Sequence, residues 1–330
     1  MKKIFTLVFI FVISILTATN VHADHKLASY SVTPIFSEHQ TDGADSYFDI
    51  KWPPASKESF GVKITNNTKK TKQFEIEVNK ARTNRNGIVD YSDRTPEKAN
   101  TVYKLTQMIR LPKEVEVAPN SSQIIHGSIS FPAKDFNGIL MAGLHFTEKT
   151  TTVKKNTVSN TIAYNIPFVI RGNHDQRPTP RLSLDQLKMT KPNLSTYELD
   201  AKLTNHHQNL LKSVKTVSTI KNMDNKTLKK ETKRIDIAPE TTFENPIQVP
   251  KNIKAGQYKL VLTMQHGKDH WKFEKNFKIK PADLKVAKRH QIQNHSALFI
   301  GLAVIVLIFI VLCLNKFKKL KRKLFFYPKK

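Results

Sequence analysis

The chain has 330 residues, with 54 lysine and arginine residues against 27 aspartate and glutamate residues, giving a formal net charge of +27. Its one cysteine is Cys313, so the fold cannot depend on disulfides and must be stabilised by buried apolar surface. The excess positive charge is spread along the chain without a nucleic-acid recognition motif, which argues against a nucleic acid as the partner.

Residues 1–23 predict a secretory signal peptide. Two lysines precede an apolar run over residues 4–16, which is too short to cross the hydrocarbon core of a bilayer. Val21 and Ala23 then supply the small side chains that signal peptidase reads, so we expect cleavage after Ala23.

Residues 28–172 predict a β-sandwich. Phe60, Val62 and Ile64 alternate with polar residues before the polar stretch 66–70, and an alternating run follows at residues 74–78. This pattern predicts a hairpin with one buried face. Further on, alternation returns in a strand whose buried face is expected to hold Leu140, Ala142, Leu144 and Phe146. No stretch keeps a helical period.

Residues 173–180 are polar and contain two prolines, which predicts a linker, and a second β-sandwich follows over residues 181–281. Leu199, Ala201 and Leu203 alternate in its first part. Near its end, the sequence Gly256-Gln257-Tyr258 resembles the tyrosine corner that opens the penultimate strand of immunoglobulin-like domains. The sequence therefore predicts an all-β protein with two tandem immunoglobulin-like β-sandwich domains.

The C-terminal residues predict a membrane anchor. A short basic stalk covers residues 282–296, and residues 297–314 are free of charge and long enough to cross the hydrocarbon core as one helix. Residues 315–330 carry eight basic residues and no acidic one, so the positive-inside rule predicts a cytoplasmic tail and an extracellular N-terminal part. Cys313, inside the span, is open to palmitoylation or to a purely structural role.

One polar loop of the first domain offers candidate ligand-binding residues. Asn84, Arg85, Asn86, Asp90 and Tyr91 supply amide, guanidinium, carboxylate and phenol groups suited to sugar hydroxyls and to the carboxylates of peptide stems. The same loop is open to a purely structural interpretation, because Asn86-Gly87 is a favoured hairpin turn pair.

Motifs of catalysis and metal binding are missing from the sequence. His266 and His270 have a spacing that suits zinc on a helix, but here they flank a glycine between two predicted strands and indicate a hairpin turn. There is no nucleophile elbow, phosphate-binding glycine loop or zinc-protease helix. We therefore predict a binding protein without a metal or other cofactor, although a paired-carboxylate hydrolase of the cell wall needs no local motif.

The chain as a whole resembles the WxL-interacting proteins of Gram-positive bacteria. The resemblance rests on the order and spacing of several short segments, namely residues 30–35, 47–50, 65–67, 82–91, 136–144, 255–258 and 271–273. It implies a first domain that binds peptidoglycan, a second domain associated with host ligands, and assembly with WxL-domain surface proteins. Neither Trp52-Pro53-Pro54 nor Trp271-Lys272-Phe273 is a Trp-x-Leu motif, which fits the partner role. An adhesin for host extracellular matrix remains the alternative, and a wall hydrolase is a third hypothesis.

Overall fold

The computed structural model describes residues 28–99, 101–149, 162–172, 178–193 and 196–284, except for the side chains of residues 192 and 193. In this part of the chain, no helix is long and apolar enough to cross a membrane. The predicted signal peptide, membrane span, cytoplasmic tail and Cys313 lie outside the described residues, as do most of the stalk and residues 173–177 of the linker.

The described chain forms two compact units, each built almost entirely of strands. Unit 1 holds the chain up to Arg82 and again from Asp90 to Pro178, whereas unit 2 holds Thr83–Val89 and the chain from Thr179 onward. Among the described residues, regular helix is limited to two single turns, α1 (Leu105–Met108) and α2 (Pro281–Leu284). The predicted all-β class is therefore confirmed for the described residues.

Eleven strands lie between Tyr30 and Arg171 in the described part of the chain. They are β1 (Tyr30–Ile35), β2 (Phe48–Lys51), β3 (Lys57–Asn66), β4 (Lys72–Lys80), β5 (Arg82–Thr83), β6 (Val89–Asp90), β7 (Ile109–Arg110), β8 (Glu114–Val117), β9 (Ser121–Ser130), β10 (Ile139–Glu148) and β11 (Ala163–Arg171). Strands β5 and β6 form a small two-stranded ladder, and the other nine form the two sheets of unit 1.

Two sheets pack face to face in unit 1. One has the order β1-β3-β9-β7 and the other β2-β11-β10-β4-β8, with β2 and β11 parallel and the remaining pairs antiparallel. The predicted inward face of β10 is confirmed, because Leu140, Ala142, Leu144 and Phe146 are all buried. Apolar and polar residues alternate along the strands of both sheets. The apolar side chains therefore point inward from each sheet and form one core between the two.

The hairpin predicted around residues 66–70 is wrong. Strands β3 and β4 are consecutive, but they belong to opposite sheets, so the connection crosses the sandwich. Each strand alternates because it buries its apolar face against the other sheet, which gives the same sequence pattern as a hairpin. Asn66 stabilises the crossing: its side-chain amide donates hydrogen bonds to the carbonyl oxygens of Lys70, Val117 and Ala118 at 2.7, 3.1 and 3.0 Å.

The described residues of unit 2 from Thr179 onward form seven strands in two sheets. They are β12 (Leu182–Asn193), β13 (Thr196–Asn205), β14 (Leu211–Asn222), β15 (Thr227–Ile237), β16 (Thr242–Gln248), β17 (Gly256–His266) and β18 (Asp269–Ile279). The sheet orders are β12-β13-β16 and β15-β14-β17-β18, and every pairing is antiparallel.

The core of unit 2 follows the predicted alternation. Leu199, Ala201 and Leu203 of β13 are buried against residues of the four-stranded sheet. At the start of β17, the hydroxyl of Tyr258 donates a hydrogen bond of 2.8 Å to the carbonyl oxygen of Lys254, four residues upstream. This contact has the form expected of the predicted tyrosine corner.

Candidate functional site

The loop that holds three of the predicted ligand-binding residues is ordered by hydrogen bonds to the Asn84 side chain and by a glycine in its turn. Asn84 accepts hydrogen bonds through its side-chain oxygen from the amides of Asn86 and Ile88 at 2.9 and 3.2 Å. Gly87 has a φ of +74°, and a Cβ there would lie 2.3 Å from a side-chain atom of Ile235. The turn therefore requires glycine for its conformation and for its close packing within unit 2.

Arg85 is bound by three carboxylates of unit 2. Its guanidinium donates to both carboxylate oxygens of Asp200, each at 2.8 Å, and to Glu198 at 3.0 Å and Glu244 at 2.5 Å. The Asp200 side chain is only 2% exposed, whereas that of Arg85 is 43% exposed. Hydrogen bonding to Asp200 is the largest cause that raises the Arg85 pKa, so this side chain stays charged.

A second cation lies close to the same carboxylates. The ammonium group of Lys233 donates a hydrogen bond of 2.8 Å to the carbonyl oxygen of Pro246. Burial lowers the Lys233 pKa, and the nearby charge of Arg85 lowers it further, while Glu231, Glu198 and Asp200 oppose that shift. The acidic side chains around Arg85 therefore neutralise the positive charges of two residues of this chain, Arg85 and Lys233.

Asp90 and Tyr91 have structural contacts in unit 1. The Asp90 carboxylate accepts hydrogen bonds from the backbone amides of Tyr91 and Ser92 at 2.7 and 3.0 Å. Tyr91 is 8% exposed, and its ring covers Gly143, where a Cβ would lie 2.4 Å from the ring. Burial raises the Tyr91 pKa well above its usual range, with smaller contributions from Asp90 and Tyr47.

The structure thus places the five predicted site residues in two different groups. Asn84, Arg85 and Asn86 belong to unit 2, while Asp90 and Tyr91 belong to unit 1. Asn86 is exposed, but the side chains of the other four contact the chain itself. Their role in ligand binding stays a prediction. Both terminal nitrogens of Arg85 already donate to carboxylates of the protein, so a ligand carboxylate would compete with these for Nη1 and Nη2.

A groove of about 540 Å³ lies elsewhere on unit 1. Its lining residues come from the segment around α1, from β7, and from the end of β9 with the residues just after it. They are Thr101, Val102, Tyr103, Lys104, Gln107, Met108, Arg110, Ser130 and Pro132. Val102 is 76% exposed although it is apolar. Such a concave surface, with apolar contacts and a few polar groups, is typical of ligand-binding sites.

Two anchors hold this groove segment on the sandwich. The ring of Tyr103 packs edge-on against Trp52 with centroids 5.2 Å apart, and its hydroxyl donates a 2.8 Å hydrogen bond to the carbonyl oxygen of Lys134. Thr106 donates a hydrogen bond of 2.6 Å to the carboxylate of Glu97. The groove is therefore built on ordered contacts, which favours a preformed site.

The chemistry of the groove suits a polar ligand that carries carboxylates. Lys104 and Arg110 supply positive charge, and within the described part of the chain neither forms an ion pair. Gln107 offers an amide, and Thr101 and Ser130 offer hydroxyls. No motif in the sequence indicates this groove, because its residues come from segments that are separate in the chain and meet only in the folded unit.

The predicted hairpin turn at the two histidines is confirmed. Strands β17 and β18 pair from Gly256–Ile279 to His266–Asp269, and Gly267 adopts a φ of +58° in the turn between them. Among the residues that the structure describes, no group of three or more histidine, cysteine or acidic side chains has a geometry for a metal ion.

Two family models match the chain. Residues 30–148 match the model described as "WxL Interacting Protein, peptidoglycan binding domain", and residues 153–288 match "WxL Interacting Protein, host binding domain". The chain belongs to the WxL-interacting protein family. The resemblance found in the sequence is thus confirmed over both domains. The first family match covers the groove, and the second begins before β11, which the structure includes in unit 1.

Other comparisons add little to this family assignment. A complex of the chaperone CsuC with the tip adhesin CsuE from Acinetobacter baumannii has 16% identity, covers 75% of this chain and 98% of that chain, and gives a TM-score of 0.34. The class 5 fimbriae chaperone CfaA has 14% identity, covers 76% and 99%, and gives a TM-score of 0.30. No functional conclusion follows at such scores. The comparison with curated proteins found no match.

Proposed function

We propose that this protein is a non-catalytic binding protein of the cell surface that attaches to peptidoglycan through unit 1, binds host ligands through unit 2 and assembles with WxL-domain proteins. The observation that carries the proposal is the match of consecutive family domains described as peptidoglycan binding and host binding. An adhesin role is then one part of the function, and a wall hydrolase has no support from either domain description.

The groove on unit 1 is the proposed peptidoglycan site. Peptidoglycan presents sugar hydroxyls, acetamido groups and the carboxylates of peptide stems. The amide of Gln107 and the hydroxyls of Thr101 and Ser130 match the first two, and Lys104 and Arg110 match the third. Val102 and Met108 supply apolar contact for the faces of sugar rings.

The double change Lys104→Gln and Arg110→Gln is expected to weaken binding to purified peptidoglycan by about tenfold or more, because two charge-assisted contacts to carboxylates are lost. Co-sedimentation of the full chain with peptidoglycan free of teichoic acid measures this effect. The matched control is Lys63→Gln with Lys113→Gln, two exposed lysines of unit 1 outside the groove. Equal losses in both variants would mean that diffuse charge, and not the groove, carries the binding.

Assembly with a WxL-domain protein is proposed to use a sheet edge. Strands β12, β15 and β18 lie at sheet edges and have 11 or 12 residues each, a length that offers many main-chain hydrogen-bonding groups to another strand. We expect the full chain to retain a purified WxL domain from the same organism in a pull-down, without cofactor or covalent step. If no association with any co-encoded WxL protein occurs at tens of micromolar, the scaffold function is wrong and the adhesin function remains.

The location we propose is the cell membrane, with one span over residues 297–314, an extracellular N-terminal part and a cytoplasmic tail. This topology would hold the peptidoglycan site within the wall. Protease added to intact cells stripped of their wall should degrade both units and leave a small membrane-held fragment. Protection of the whole chain would contradict this orientation.

A further inference from the structure

One face of unit 2 concentrates positive charge. The outward positions of the sheet β15-β14-β17-β18 carry seven basic side chains: Lys278 near the end of β18, and the group Lys215, Lys221, Lys230, Arg234, Lys259 and Lys272. Alternation requires these positions to point away from the core, because the neighbouring positions, such as Ile220, Leu260 and Leu262, are buried in it. Register thus brings basic residues that are separated in the sequence together on one sheet face.

Acidic side chains compensate little of this charge. Glu274 forms an ion pair of 2.8 Å with Lys272, and this contact is the largest cause of its lowered pKa, to which Lys259 and Lys221 also contribute. Asp236 lies at the end of β15, where its carboxylate accepts a hydrogen bond of 2.6 Å from the amide of Ser213. The face therefore keeps a clear excess of positive charge.

Like charges lie directly opposite one another on this face. Lys215 of β14 pairs with Arg234 of β15, and Lys221 of β14 pairs with Lys259 of β17. Directly opposed like charges destabilise a sheet, so folding alone does not favour this arrangement. The two pairs lie six residues apart on β14, which corresponds to roughly 20 Å along the strand. A linear polyanion along β14 would neutralise both pairs.

A shallow cleft of about 350 Å³ lies on the same face. Lys215 and Lys272 line it together with Thr263, Gln265 and His270. Two ammonium groups beside amide and hydroxyl groups suit a sugar residue that carries a sulfate group. The cleft therefore adds a specific subsite to the basic face.

We propose that this basic face binds a sulfated glycosaminoglycan chain of the host, an inference that rests on the proposed host-binding function of unit 2. Charge complementarity along β14 and the cleft carry the inference, and the face lies within residues 153–288, which match the host binding domain. A single-stranded nucleic acid fits less well, because base stacking needs aromatic rings that project from the surface. Trp271 also lines the cleft, but it stands at an inward position and packs against the core of unit 2, so the outward positions of these four strands hold only the imidazole of His270.

The triple change Lys215→Gln, Lys259→Gln and Lys272→Gln tests the proposal in the full chain, with immobilised heparan sulfate as the probe. We expect the dissociation constant at about 0.15 M salt to rise by at least roughly tenfold, and its salt dependence to become shallower, because fewer counterions are released on binding. The thermal unfolding temperature should be unchanged or higher, since two repulsive pairs are relieved.

The matched control is Lys188→Gln, Lys202→Gln and Lys251→Gln, which removes the same charge from exposed positions of unit 2 outside this face. Equal weakening in both triple variants would overturn the proposal. Equally effective competition by single-stranded DNA or by teichoic acid would overturn it too, since the face would then select only negative charge. Host cells treated with heparan sulfate lyase separate the two claims: persistent wild-type binding contradicts this inference but leaves host binding intact, whereas no binding to untreated cells contradicts the host-binding function.

Discussion

Trp52→Ala is expected to lower the free energy of unfolding of unit 1 by about 3–5 kcal/mol, because it removes a large buried side chain from a well-packed core. Trp52 is 1% exposed and packs edge-on against Tyr103, Phe131 and Phe136, with ring centroids 5.1–5.2 Å apart. The cavity would remain among rigid rings that cannot easily close it.

The same change is expected to weaken peptidoglycan binding, because Tyr103 lines the proposed groove and loses its packing partner. Calorimetry of the full chain and co-sedimentation measure the two effects. Ile124→Ala is the control: it also shortens an apolar side chain of unit 1, but Ile124 lies outside the groove and is 48% exposed, so binding should be unchanged and the expected change in stability is about 0.5 kcal/mol. A Trp52→Ala variant with nearly wild-type stability would show that the core is not organised around this ring.

Arg85→Ala is expected to lower the free energy of unfolding of unit 2 by about 2–3 kcal/mol. Asp200 would stay buried while losing both hydrogen bonds from the guanidinium. Breaking a buried ion pair typically costs about 3–5 kcal/mol, and the partial exposure of Arg85 reduces the expected loss through solvent screening. Chemical denaturation of the full chain measures the change.

Two further variants separate the structural role of Arg85 from its predicted role in ligand binding. Asp200→Asn in the Arg85→Ala background should recover part of the lost stability, because the uncompensated charge is removed. Glu244→Gln should cost less than about 1 kcal/mol, since Glu244 is itself 47% exposed. If Arg85→Ala left stability unchanged and abolished ligand binding, the guanidinium would be a ligand-binding group after all.

The sequence predicted the class of the fold and several local features correctly. Period-two alternation identified the buried faces of β10 and β13, and the glycine between His266 and Asp269 identified the turn between β17 and β18. The sequence can predict these features because a buried face depends only on which residues of a strand point into the core, and a turn depends only on residues close in sequence. Family membership also followed from short segments in a fixed order.

Alternation could not identify the partner of each strand. Strands β3 and β4 have the pattern of a hairpin, but a strand that pairs with its neighbour and one that crosses to the opposite sheet bury the same residues. The candidate loop was likewise ambiguous, because the carboxylates that bind Arg85 lie 113–159 residues away in the sequence. Only the tertiary fold brings such distant groups together.

The two proposed binding surfaces also exist only because the tertiary fold brings distant residues together. The groove combines residues around α1 with residues of β9, and the basic face arises because register sets Lys215 opposite Arg234 and Lys221 opposite Lys259. The sequence by itself determined the buried faces of strands such as β10 and β13, since these follow from the local alternation of apolar side chains. The tertiary structure alone determined which exposed residues become neighbours, because strand order and register are long-range properties.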